Sequence, residues 1–169
     1  MKTEKLVVGF FVDRCNYWIE HFDKSERDVK EFERFCELLG ISEGDFRDIT
    51  MEVRPIQECL FYLRRRIREY ERSHVWIDLI ELWSEFRLGD DIAQWCALAI
   101  ESLIQDGRKD DVKRAAEIAV CHPLNRSLIS LALSEYWRSC SENGTENEFI
   151  SFCEHHGVEP PATMTAFRI

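Results

Sequence analysis

Apolar residues recur every three to four positions along nearly the whole chain, and the runs are cut by glycines at 40, 89, 107, 144 and 157. A period near 3.6 gathers those side chains on one face of a helix, and glycine supplies the left-handed stop that other residues adopt only at a cost. Together they predict helices over about 4–22, 26–39, 54–72, 74–88, 91–106, 109–121, 125–142 and 145–156. The expected fold class is all-α, with a short strand at 6–12 as the minor alternative because that run is rich in Val and Phe.

Local residue choice supports these ends. Ser25-x-x-Asp28 and Thr145-x-x-Glu148 have the capping-box spacing, in which a hydroxyl accepts from a free backbone N–H and the acid three residues on reaches back. Pro55 falls in a first turn, where its missing N–H costs nothing, and Pro123 stands just before the helix that follows.

Ile92–Gly107 and Ile129–Gly144 are both apolar helices ending in Asp-Gly or Asn-Gly, offset by 37 positions, and one further step back lands on the helix Pro55–Tyr70. The implied pattern is helix, turn, helix, repeated. Four hairpins are expected, at 4–40, 54–89, 91–122 and 125–157, within one domain over 1–157. A linker at 41–53 has room for a short helical turn, and a non-helical tail follows at 158–169. Antiparallel hairpins of this length stack as a short right-handed α-solenoid or a compact helical array, each burying its face against its neighbours.

The stretch Glu31–Ile41 reappears as Glu148–Val158, and both copies end in Gly followed by an apolar residue. That is the signature of a Schellman helix end. Leu38-Leu39 of the first copy is replaced by His155-His156 in the second, so the shared element is packing and termination rather than ligation. A metal-binding alternative stays open on Cys121, His122, Cys153 and His155, should the last two hairpins bring four ligands together.

Residues 96–140, CALAIESLIQDGRKDDVKRAAEIAVCHPLNRSLISLALSEYWRSC, resemble tetratricopeptide-like helical hairpin repeats. The likeness rests on Ala97, Ala99, Ala115, Ala116 and Ala119 at helix contacts, the Asp106-Gly107 turn, and the Pro123–Arg126 entry to the next helix. It covers about a quarter of the chain, and the tryptophan-leucine-glycine-tyrosine signature of the standard repeat is absent. The resemblance implies an interaction scaffold that binds peptides or protein surfaces.

Composition narrows the classes further. Seven cysteines, an odd number spread singly among apolar neighbours, fit reduced core thiols and a cytoplasmic location better than a disulfide framework. The opening MKTEKLVVGFFVDRC has Asp13 and Arg14 where a cleavage site would need small residues, so it is expected to be mature sequence. No run approaches the roughly 20 apolar residues of a membrane span, and no membrane partner is expected. Of the net charge of −10, −2 lies in residues 1–72 and −8 in 73–169, which disfavours nonspecific nucleic-acid binding. A Gly-rich phosphate loop, a nucleophile elbow and a zinc-protease His pair are all missing, so neither catalysis nor a cofactor is expected. Asp90-Asp91 and Asp110-Asp111 stand at predicted helix starts, where carboxylates cap free N–H groups.

The helix RPIQECLFYLRRRIREYERS carries the most specific pattern. Ile56, Cys59, Leu60, Leu63, Ile67 and Tyr70 form one apolar stripe, while Arg64, Arg65, Arg68 and Arg72 gather opposite with Phe61 among them. An aromatic ringed by arginines suits an acidic or aromatic partner group, since these types are enriched at interface hot spots. The structural alternative is that a neighbouring hairpin covers Phe61 and the arginines pair with Glu58, Glu69 and Glu71. Trp76, Trp83, Trp95 and Trp137 are expected in the core. Pro160-Pro161 ends the last helix, and the tail with Phe167 and Ile169 either docks back as a cap or serves another chain. The first helix is apolar on nearly every side, so the linker, the tail or a second subunit must cover it, the last making a homo-oligomer.

The sequence reading is therefore a noncatalytic helical-repeat adaptor that binds a protein or peptide. Its first alternative is a small acidic inhibitor, of the immunity-protein or nucleic-acid-mimic kind, that occludes a basic site. The metal-binding helical protein is the second.

Overall fold

The period-3.6 stripes become helices almost wherever they occur. The computed structural model describes residues 9–22, 29–89 and 92–160. Among these residues there are nine α-helices and no strand: α1 (Gly9–His21), α2 (Val29–Leu39), α3 (Glu43–Thr50), α4 (Pro55–Ser73), α5 (Trp76–Phe86), α6 (Ile92–Asp106), α7 (Lys109–Cys121), α8 (Arg126–Glu142) and α9 (Glu146–His156). Residues 9–12 are helical, so the strand alternative fails there. The pairs Ser25/Asp28 and Asp90/Asp91, and the tail from 161 on with Phe167 and Ile169, lie outside the described residues. No helix among the described residues is long and apolar enough to cross a membrane.

Two expectations about helix starts are corrected. The 41–53 linker contains a full eight-residue helix, α3, started by a capping box that the sequence reading missed. Ser42, at φ −82° and ψ 163°, accepts from the Asp45 N–H at 3.1 Å, and the Asp45 carboxylate accepts from the Ser42 N–H at 2.9 Å. The expected box at Thr145 does not form, because that residue is committed to ending the helix before it. Its N–H donates to the Cys140 carbonyl at 2.9 Å and its hydroxyl to the same carbonyl at 3.4 Å, with ψ at 35° rather than extended.

The twin helix ends follow the Schellman pattern at both sites. Gly40 and Gly157 hold φ of +69° and +63°. The Ile41 N–H reaches the Cys36 carbonyl at 3.1 Å, and the Val158 N–H reaches the Cys153 carbonyl at 3.0 Å.

The chain divides into two units, Met1–Asp90 and Asp91–Ile169. In the first, α4 packs against α1, α2, α3 and α5. Its core is a net of rings: Phe35 lies 5.6 Å from Phe46, 5.9 Å from Phe86 and 6.3 Å from Phe11, and Phe11 meets Phe86 edge-on at 4.9 Å. Trp18 joins through Phe32 at 5.3 Å. In the second unit, α7 packs against both α6 and α8, and α8 against α9. Ala99, Ala115, Ala116 and Ala119 are fully buried there, whereas Ala97 is half-buried. Methyl-sized side chains let helix axes approach closely. Beyond them, Tyr136, Phe149 and Phe152 close the core under α9.

Six of the seven cysteines are buried free thiols, and Cys121 alone is exposed. Of the tryptophans expected inside, Trp95 is buried, while Trp83 and Trp137 are half-buried. Trp76 is also half-buried and stacks on the exposed His74, with ring centres 5.5 Å apart.

Candidate functional site

Pro55 stands in the first turn of α4 and sets its start. From there α4 runs 19 residues to Ser73, about 28 Å of helix. Its inner stripe is placed as the pattern requires: Cys59, Leu60, Leu63 and Ile67 are buried, with Ile56 and Tyr70 half-buried at the ends. Fixing that stripe fixes the opposite face as well.

On that face Phe61 is 57% exposed, so no neighbouring helix covers it. Gln57, Phe61, Arg64, Arg65, Arg68 and Arg72 line a depression of about 380 Å³ with Glu69 at its edge. The five residues singled out by the sequence pattern are thus brought together. Arg64, Arg68 and Arg72 follow one another at four-residue spacing, all exposed, and none forms an ion pair with a described residue.

The carboxylate that would neutralise this row is already taken. Arg65 Nε donates to Glu69 Oε1 at 2.9 Å, and Arg66 Nη1 lies 3.5 Å from Glu69 Oε2. The hydrogen bond from Arg65 is the main reason the Glu69 carboxyl is held below the usual carboxylate range. Arg66, which the sequence reading did not assign to either face, turns inward over the Tyr70 ring at 4.6 Å. Like charges at four-residue spacing destabilise an isolated helix slightly, so the row gives nothing back to the fold. Flat guanidinium groups beside an exposed ring can accept a carboxylate or phosphate in bidentate fashion, and an aromatic group by stacking.

The four candidate metal ligands are not assembled. Cys121 ends α7 exposed, His122 follows it half-buried, Cys153 is buried in the core, and His155 is exposed on α9. No group of three or more His, Cys, Asp or Glu side chains is placed to hold a metal ion among the described residues. Burial lowers the His122 pKa and raises that of Cys153. Burial also pushes the Cys36 thiol up to about 12 and the Cys96 thiol to about 11, while contact with the Cys59 thiol, then burial, raises Cys15. These core thiols are held in the protonated form, which is not the nucleophilic one.

Asp110 and Asp111 do stand in the first turn of α7, with Asp111 bonded to Arg108 Nε at 2.6 Å. What sequence reasoning missed is a second concavity, between α7 and α9, into which Cys121 and His155 both face together with Tyr136. Tyr136 reads as an ordinary core position of α8, and nothing in its spacing marks it out. Comparison of the chain with family models, with curated proteins and with solved structures returns no match.

Proposed function

We propose that the chain is a noncatalytic, cytoplasmic protein–protein interaction module, a short right-handed array of helical hairpins that holds an acidic or aromatic group of a protein or peptide partner on the outer face of α4. The observation that carries this reading is the exposed Phe61 ring set among Arg64, Arg68 and Arg72, which lack carboxylate partners within the described residues. An apolar anchor surrounded by Arg is the composition of an interface hot spot. The repeat part of the reading is supported by the five buried alanines among the helices of the second unit, and the reducing location by the buried free thiols.

Affinity purification from the source organism's lysate at low and high salt tests the reading, with Phe61→Ala and Arg68→Glu alongside. Arg68 is the better charge reversal than Arg65, whose guanidinium is already tied to Glu69. A specific partner kept at high salt by wild type and lost by both variants is the expected result, since apolar anchors survive screening. The charge of −8 on residues 73–169 supports the acidic-inhibitor alternative, which predicts a basic partner released by salt and indifferent to both variants.

A further inference from the structure

The concavity between α7 and α9 is independent of the α4 face. It measures about 790 Å³ and takes Lys113, Glu117 and Cys121 from α7, Tyr136 from α8, and Phe152 and His155 from α9. An apolar wall with a few polar groups is the usual make-up of a small-molecule site.

Tyr136 is the anomaly in it. The side chain has no exposed surface, yet its hydroxyl has no hydrogen-bond partner among the described residues. A buried hydroxyl without a partner carries a desolvation penalty. Packing does not account for it, because the ring contacts to Phe149 at 5.4 Å and Phe152 at 5.2 Å would be made equally well by Phe. Burial foremost, then the Cys140 thiol, a weak acceptor that does not meet hydrogen-bond geometry, and the carboxylates of Glu148 and Glu117 raise the Tyr136 pKa. The group is therefore a permanent donor in need of an acceptor.

The charges at the groove select what kind of acceptor. Lys113 and Glu117 offset one another, and Glu148 is paired with Lys109 Nζ at 2.9 Å. A site without net charge, whose carboxylates face the donor, repels an anion there and admits a neutral oxygen. Two rings meet at the groove, Phe152 and His156, with centres 4.5 Å apart and planes tilted by 45°.

We infer that the groove between α7 and α9 binds a small, uncharged, planar ligand whose carbonyl oxygen accepts the Tyr136 hydroxyl and whose flat face lies against Phe152 with His156 at its edge, a lactam or aromatic amide in chemical class. Oxindole and indole test this, because they share one flat frame and differ by a carbonyl. Both are titrated into the isotope-labelled full chain and followed by backbone resonances. In parallel, iodoacetamide alkylation of Cys121 reports occupancy, since that thiol is the exposed one. Oxindole is expected to bind about tenfold more tightly than indole, the worth of one good hydrogen bond. It should also shift α7–α9 resonances, slow Cys121 alkylation and outcompete indole carboxylate. Tyr136→Phe should remove the tenfold preference and leave indole binding unchanged, and Phe152→Leu should weaken both ligands together. Equal affinities, a preference that survives Tyr136→Phe, or no change in α7–α9 up to the solubility limit of oxindole would each overturn the assignment.

Discussion

The two units bury their apolar surface by opposite means. In Met1–Asp90 the space among α1, α2, α3 and α5 is filled by rings, with Phe35 touching Phe11, Phe46 and Phe86. In Asp91–Ile169, α6, α7 and α8 meet through fully buried alanines. A ring-filled core is held by the size of its side chains, so truncation opens a cavity. An alanine-lined contact is held by the closeness of its backbones, so enlargement forces them apart. The same fold class thus has two different sensitivities within one chain.

That contrast is broken or kept most clearly by a pair of substitutions. Phe35→Ala is expected to cost about 3–5 kcal/mol, as large aromatic truncations do. Ala116→Leu should cost about 1–3 kcal/mol by overpacking. Urea unfolding of each variant measures both; an Ala116→Leu protein as stable as wild type would show that the second unit is not packed backbone to backbone.

Tyr136→Phe is expected to go the other way, raising stability by about 1 kcal/mol in the absence of ligand, because it removes an unpartnered buried hydroxyl and keeps the ring. Calorimetry or urea unfolding decides it. A loss of similar size would mean that the hydroxyl has a partner in the folded chain.

The twin helix ends sharpen the comparison at smaller scale. Both glycines sit at positive φ, so alanine at either costs about 1 kcal/mol in backbone strain. A methyl group at Gly40 would also come within 3.2 Å of the Arg66 guanidinium, whereas at Gly157 it meets nothing within 4 Å. Gly40→Ala should therefore lower the melting temperature further than Gly157→Ala, and the reverse order would contradict the packing described around Arg66.

The smallest contrast is between two capping residues. Ser42→Ala should lower the melting temperature by about 2–4 °C, while Thr145→Ala should change it little. The Ser42 hydrogen bonds hold the Asp45 carboxyl below its ordinary value. Asp45 therefore contributes stability above about pH 3.9, and that contribution is lost as pH falls through the lower folded value. Removing the Ser42 hydroxyl should flatten this part of the acid profile. An unchanged profile would show that the box is not formed.

Much of this was legible in the sequence, and the exceptions have physical reasons. The α4 stripe from Cys59 to Ile67 and its arginine face follow from period alone, because one helix has only one inside. The Schellman ends at Gly40 and Gly157 follow from glycine and the apolar residue after it. Thr145 misled because capping-box spacing says nothing about what else a residue must do, and here it also closes α8. α3 was missed because its eight residues carry only Phe46 and Ile49 as buried apolar positions, too few to show a period. The Arg66 inward turn and the orphan hydroxyl of Tyr136 depend on rotamers or on neighbours from other segments, which no spacing encodes, whereas the Arg65–Glu69 pair has the four-residue spacing already weighed as the structural alternative.

The central claim is that the Phe61 and arginine face of α4 is the partner-binding surface. Hydrogen–deuterium exchange on the complex with the purified partner tests it most directly, comparing free and bound protein peptide by peptide. Protection concentrated over residues 55–73, and abolished with binding by Phe61→Ala, is the predicted result. A stable complex that protects other segments and leaves 55–73 unchanged would contradict it.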